Sequence, residues 1–201
     1  MILAYDVTDK QIAFSSRLAN GNVSTRELEY RKAAQILLPT IQELIQAAGE
    51  PLTALGVVRG PGSFTGIRVG LSTALGIKAS LAIPVLGFSK FELAARFIGP
   101  GHYRILIPSV RGQLLVCEYN MGIPVGEPHV CEQQDLERDI PFHVLAPIPG
   151  MDLEPLSFKP TEFCLNLLSE PEEDHPPQPL YIRPPDAIKS RALLDRLLNP
   201  S

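Results

Sequence analysis

The spacing of apolar and polar positions along this chain changes repeatedly, and each change marks an element. Residues 1–5 and 11–18 read as strands, with Asn20-Gly21 as a hairpin-type turn pair. Ser24-x-x-Glu27 has capping-box spacing and predicts that a helix opens there. Leu28, Ala33, Ala34, Leu37, Leu38, Ile41, Leu44, Ile45 and Ala48 then recur at helical intervals up to Gly49. Pro39 removes one donor from that ladder, so a kink or restart is expected. After the apolar run 54–58 comes Arg59-Gly60-Pro61-Gly62-Ser63-Phe64-Thr65-Gly66, which opens a second long helix reaching about Leu81. A strand at 84–88 and a helix capped by Ser89-x-x-Glu92 and running to Phe97 complete the first half. Gly99-Pro100-Gly101 is the best lobe boundary, which divides the chain into residues 1–98 and a smaller unit, 102–201. Beyond it, 104–110 and 113–120 alternate like paired strands, 142–146 reads as a strand and 161–168 as a short helix. Residues 170–179 read as an acidic, proline-rich exposed loop, and 187–198 as an amphipathic helix.

Both long helices carry more apolar surface than one core-facing stripe requires. In the second, Ile67, Leu71, Leu75 and Leu81 form one side, while Gly66, Gly70 and Ala74 repeat every four residues on another. A glycine inside a helix costs about 1 kcal/mol relative to alanine, so this seam implies close approach of something. It packs either on the first helix or on a matching pair of helices in another subunit. The segments Ala33–Ile41 and Gly66–Ala74 are therefore the candidate partner-binding surface, through Ala33, Leu37, Ile41, Gly66, Gly70 and Ala74. On this reading Gly70→Arg abolishes partner binding and leaves the protein folded.

Composition narrows the chemistry. The 201 residues carry a formal charge of −4 and 45% hydrophobic content. That supports a sizeable core and argues against a large nucleic-acid footprint of the chain's own, which would normally be basic. No apolar run approaches the roughly 20 residues of a membrane span. The N-terminus lacks the basic start of a signal peptide, and three scattered cysteines suit a reducing cytoplasm. The Gly60–Gly66 loop has free amide groups suited to an anion. It lacks the lysine of a P-loop and the spacing of a dinucleotide fingerprint. Ser63 fits a helix cap rather than a nucleophile, because Gly-x-Ser-x-Gly is off by one on each side. Asp6 reads either as a turn residue or as a surviving nucleotide contact. Arg68 reads as a surface ion-pair residue or as the counter-charge to a phosphate or partner carboxylate. The four histidines are far apart and suggest no metal site.

The run Gly-Pro-Gly-Ser-Phe-Thr-Gly-Ile-Arg-Val-Gly (60–70) resembles the TsaB (YeaZ) family. So do Ala74-Leu75-Gly76, Ile83-Pro84-Val85-Leu86-Gly87 and Ser89-x-x-Glu92. Weaker similarity extends to Ile2–Asp6, Leu37-Leu38-Pro39, Arg111-Gly112-Gln113 and Tyr181-Ile182-Arg183-Pro184. The resemblance implies an α/β, actin-like ATPase (ribonuclease H-like) fold of two lobes, the second reduced. It also implies a non-catalytic, cytoplasmic partner of the related enzyme TsaD in threonylcarbamoyl modification of an anticodon-loop adenosine of tRNA. TsaE is a further companion, tRNA is touched only indirectly, and no cofactor is bound. A homodimer through the same helices is equally open. TsaD-like enzymes carry His-x-x-x-His on the first long helix, where this chain has no histidine. Family members often show His-Ser-Glu before Leu-Leu-Pro and Asp-Ala-Arg before the hairpin glycine. This chain has Ala33-Ala34-Gln35 and Ser109-Val110-Arg111 instead. Glycoprotease activity, attached to relatives by kinship, has neither metal pair nor triad behind it. The alternative is a weak nucleotide-binding ATPase or phosphotransferase using Asp6 and the Gly60–Gly66 loop.

Overall fold

A computed structural model describes residues 1–29, 32–109, 112–169 and 175–182. Among these, the strands form two five-stranded sheets. The first has the order β3-β2-β1-β4-β5, from β1 (Ile2–Asp6), β2 (Gln11–Arg17), β3 (Val23–Glu29), β4 (Ala54–Val58) and β5 (Val85–Phe88). β1 to β3 form an antiparallel meander, and β4 and β5 join β1 in parallel. Crossovers between the parallel strands run through α1 (Ala33–Ala48) and α2 (Phe64–Leu81). α3 (Lys90–Ile98) then leads into the second sheet of β6 (His102–Pro108), β7 (Gln113–Asn120), β8 (Ile123–Pro124), β9 (His129–Glu132) and β10 (Phe142–Val144). α4 (Pro160–Ser169) returns to the first sheet.

Strand alternation explains the layers. Leu3, Tyr5, Leu55 and Val57 point to one face of the first sheet, where Leu37 and Ile41 of α1 and Ile67, Leu71 and Ile77 of α2 cover them. Ala4, Ala54 and Val58 point the other way, against Leu93 of α3 and Cys164, Leu165 and Leu168 of α4. α3 also presents Phe91, Ala94 and Ala95 to Tyr103, Ile105 and Leu115 of the second sheet, so one helix serves both cores.

Three expectations change. The segment around Ser24-x-x-Glu27 is strand β3 and not a helix start; Ser24 Oγ lies 2.8 Å from Ser16 Oγ across the ladder. A cap-like spacing has no force where the neighbouring strand supplies backbone partners. The helix itself begins at Ala33, after Lys32 at φ 62°, and continues through Pro39 without interruption. One lost hydrogen bond is outweighed by burial of Leu37, Thr40 and Ile41 around it. Residues 170–174 of the expected loop 170–179, the expected helix 187–198, and Arg183-Pro184 of the Tyr181–Pro184 signature lie outside the described residues.

The small-residue seam has a definite neighbour. A Cβ at Gly70 would lie 2.6 Å from Val7 Cγ2 and 3.6 Å from Tyr5 Cε2, and the Tyr5 hydroxyl donates to the Gly70 carbonyl at 2.7 Å. The seam thus seats α2 on β1 and the residue that follows it. Gly70→Arg would drive a long side chain into this contact and unfold the protein rather than leave it folded.

Candidate functional site

The turn between β1 and β2 builds a closed polar cluster. Asp6 is 4% exposed, and its Oδ1 accepts from the Thr8 N–H at 2.7 Å and the Thr8 hydroxyl at 2.6 Å. Lys90, at the first turn of α3, is also 4% exposed. Its Nζ lies 3.8 Å from Asp6 Oδ2 and 2.7 Å from Asp9 Oδ2. Burial pushes the Asp6 carboxyl above its ordinary value, while the Lys90 charge and the Thr8 hydrogen bonds pull it back. Two buried charges are tolerable here because each finds the other and further polar partners.

The Gly60–Gly66 loop is clamped onto this turn. Ser63 N–H donates to the Thr8 carbonyl at 2.8 Å, and Ser63 Oγ accepts from the Gly66 N–H at 3.2 Å. Ser63 is therefore the helix cap that its position predicts. Arg68 lies with its guanidinium carbon 3.9 Å from the centre of the Phe64 ring, a cation–π contact rather than the ion pair expected. Arg59 pairs with Glu92 at 2.6 Å, and Glu92 completes a capping box with Ser89. Burial raises the Glu92 carboxyl, but the Ser89 N–H and the Arg59 charge outweigh it and hold the group below its ordinary value.

Asp6, Asp9, Gly62 and Ser63 form one side of a cleft of about 1270 Å³ between the two sheets. Pro108 at the end of β6, with Ser109 and Pro147, also lines it, and Leu180, Tyr181 and Ile182 form a further wall. Among the described residues no three His, Cys, Asp or Glu side chains are grouped to hold a metal. His102 bonds to Glu118 at 2.9 Å, His143 packs on Tyr103, and His175 packs on Phe88.

The six candidate partner-binding residues are placed together but inward. Ala33, Leu37, Ile41, Gly66, Gly70 and Ala74 are all buried within this chain. α1 and α2 do touch each other, and their large exposed apolar side chains are Leu38, Leu75 and Leu81. Helical periodicity identifies two apolar faces but not which one the sheet takes. Lys90 had no sequence signal, because a lysine just after a capping serine reads as solvent-exposed.

Comparison with known proteins follows the same lines. The family model described as "TsaD: tRNA N6-adenosine threonylcarbamoyltransferase" matches residues 26–108. The tRNA threonylcarbamoyladenosine biosynthesis protein TsaB of Escherichia coli K12 is 40% identical over 100 residues, covering 47% of this chain and 42% of that protein. The protein of the same name from Haemophilus influenzae is 32% identical over 98 residues, with shares of 47% and 42%. Over these shared segments the chain is similar to the TsaB proteins. The aligned segment spans less than half the length of those TsaB proteins. YeaZ from Pseudomonas aeruginosa superposes with a TM-score of 0.67 over 90% of this chain and 98% of that one, at 22% identity. A second structure from the same organism, described as similar to peptidase YEAZ, gives 0.70 over 90% and 99%, at 23% identity. The chain thus shares the α/β fold of these two structures. No helix among its described residues is long and apolar enough to cross a membrane.

Proposed function

We propose that this chain is a non-catalytic subunit of the machinery that makes threonylcarbamoyladenosine in tRNA, acting in the cytoplasm beside a TsaD-like enzyme. The observation that carries the reading is the state of Asp6. Thr8 and Lys90 occupy the carboxylate that a nucleotide-binding relative would turn toward magnesium and phosphate. The Gly62-Ser63 corner is likewise held by the Thr8 carbonyl. The TsaB names of its relatives support the pathway.

Docking would use the outer faces of α1 and α2 within residues 1–98, with 102–201 as the reduced lobe. The buried seam then shapes the helix pair from beneath, and Leu38, Leu75 and Leu81 make the contact. TsaE joins as a companion, tRNA is contacted through the partner, and a homodimer on the same helices competes with the heterodimer. Docking activates the enzyme only if this chain binds the active conformation better than its alternative. The test is reconstitution of tRNA modification with cognate TsaD, its companions, ATP, threonine and bicarbonate, with wild-type chain, no chain, or Leu75→Glu. Modification that needs the chain and fails with a folded Leu75→Glu variant supports the proposal. Modification without the chain, or ATP turnover by the chain alone, overturns it.

A further inference from the structure

We infer that residues 175–182 form a removable cross-brace that sets the opening of the cleft. This inference stands independently of the proposed function. The segment runs along the outer edge of β5, where the Gly87 N–H donates to the His175 carbonyl at 2.8 Å. It then passes the end of β4, where the Leu180 N–H donates to the Arg59 carbonyl at 3.0 Å. Two ring contacts clamp its ends: His175 on Phe88 with centroids 4.6 Å apart, and Tyr181 on Phe64 of α2 at 4.7 Å. All of these anchors belong to the first sheet and its helices.

The same short segment also reaches the other half of the molecule. Leu180 and Ile182 pack against the cluster that contains Phe91, Tyr103, Ile105 and Leu115. Leu180, Tyr181 and Ile182 together line the cleft between the sheets. A segment bonded to one sheet and packed on the core of the other restrains their separation. Its backbone anchoring rests on a few hydrogen bonds at a sheet edge, which places it among the parts that open before the core does.

Gly87 shows how closely the brace is seated. A Cβ there would lie 2.7 Å from Pro177 Cα, 3.0 Å from the Pro176 carbonyl oxygen and 3.3 Å from Pro177 N. These nearest neighbours all belong to the brace. Gly87→Ala therefore lifts the brace while leaving β5 a strand, since alanine is admissible in extended backbone.

The experiment places spin labels on Lys10→Cys and Pro147→Cys, exposed positions on opposite sides of the cleft, in a Cys131→Ser background. Cys117 and Cys164 are buried and stay unlabelled. With Gly87, the distance distribution should be narrow. With Gly87→Ala it should broaden and move to longer distance, while the Leu180 amide loses about tenfold or more of its protection from hydrogen exchange. Should Leu180 stay protected in the single variant, Gly87→Ala/Tyr181→Ala removes a second anchor. Protection that survives both changes shows the segment is not removable and overturns the inference. An unchanged distance distribution after Leu180 is released overturns it equally. Loss of the far-ultraviolet signal of the whole fold would make the segment an integral strand and overturn it too.

Discussion

Gly70→Ala tests how α2 sits on its sheet. In an open helix this change stabilises by about 1 kcal/mol. Here the new methyl would lie 2.6 Å from Val7 Cγ2, with Tyr5 Cε2 and Val57 Cγ2 at 3.6 and 3.7 Å. Val7 is fully buried and short, so it has little freedom to turn away. Overpacking of this kind costs about 1–3 kcal/mol, so the net loss should be about 1 kcal/mol. Val7→Ala alone leaves a hole and should cost about 2 kcal/mol. In the double variant the methyl at position 70 enters that hole. The combined loss should then be about 1–2 kcal/mol, well short of the sum. Gly76, on the same helix, has nothing within 4 Å of its Cβ position. Gly76→Ala should therefore stabilise by up to about 1 kcal/mol. Urea unfolding of the four variants and the wild type gives every term of the cycle. Additivity of Gly70→Ala and Val7→Ala within about 0.5 kcal/mol, or equal effects at positions 70 and 76, would refute the packing argument.

Two further expectations concern charge. Glu92→Gln weakens both the Ser89 capping box and the Arg59 pair, and should cost about 1 kcal/mol at neutral pH. A carboxyl held below its ordinary value gives stability present above the unfolded value of about 4.3 and lost as pH falls through the folded one. The wild-type advantage should thus shrink in acid, and thermal melts across that range check it. Lys90→Met leaves Asp6 buried without its cation and should cost about 3 kcal/mol at neutral pH. Because the Asp6 carboxyl is already raised and would rise further, the loss is full at high pH and eases as pH falls through the folded value. Asp6→Asn should restore most of it, and a pH-independent loss with no such rescue would contradict the ion-pair reading.

Legibility in the sequence followed locality. β1, β2, α2, the Ser89 capping box, the β6–β7 pair and α4 were all readable, because periodicity and cap chemistry act over a few residues. β3 escapes the sequence because the spacing of Ser24 and Glu27 suits a capping box, while its partner strand lies across a turn. Ser63 as a cap was legible for the same local reason. The site was harder. Asp6 could be located but not its state, since Lys90 comes from a helix more than eighty positions away. The glycine seam announced close packing but not its neighbour: period alone cannot distinguish Val7 beneath Gly70 from a helix of another subunit. The contact of Tyr181 with Phe64 joins residues more than a hundred positions apart and leaves no mark in either segment.

α4 closes the far face of the first sheet, yet it is the last described helix to leave the ribosome. Until Cys164, Leu165 and Leu168 arrive, Ala4, Ala54 and Val58 lack the α4 half of their cover on that side, where Leu93, Phe88, Ile2 and Leu86 are already in place. The nascent first half therefore waits, with one face of its sheet uncovered, while roughly seventy more residues are translated. At about 5–20 residues per second that is an interval of seconds. A growing chain in this state is a natural client for whatever shields apolar surface at the tunnel exit. It also follows that cutting the gene at the glycine-proline boundary would yield an N-terminal fragment that never outgrows this condition.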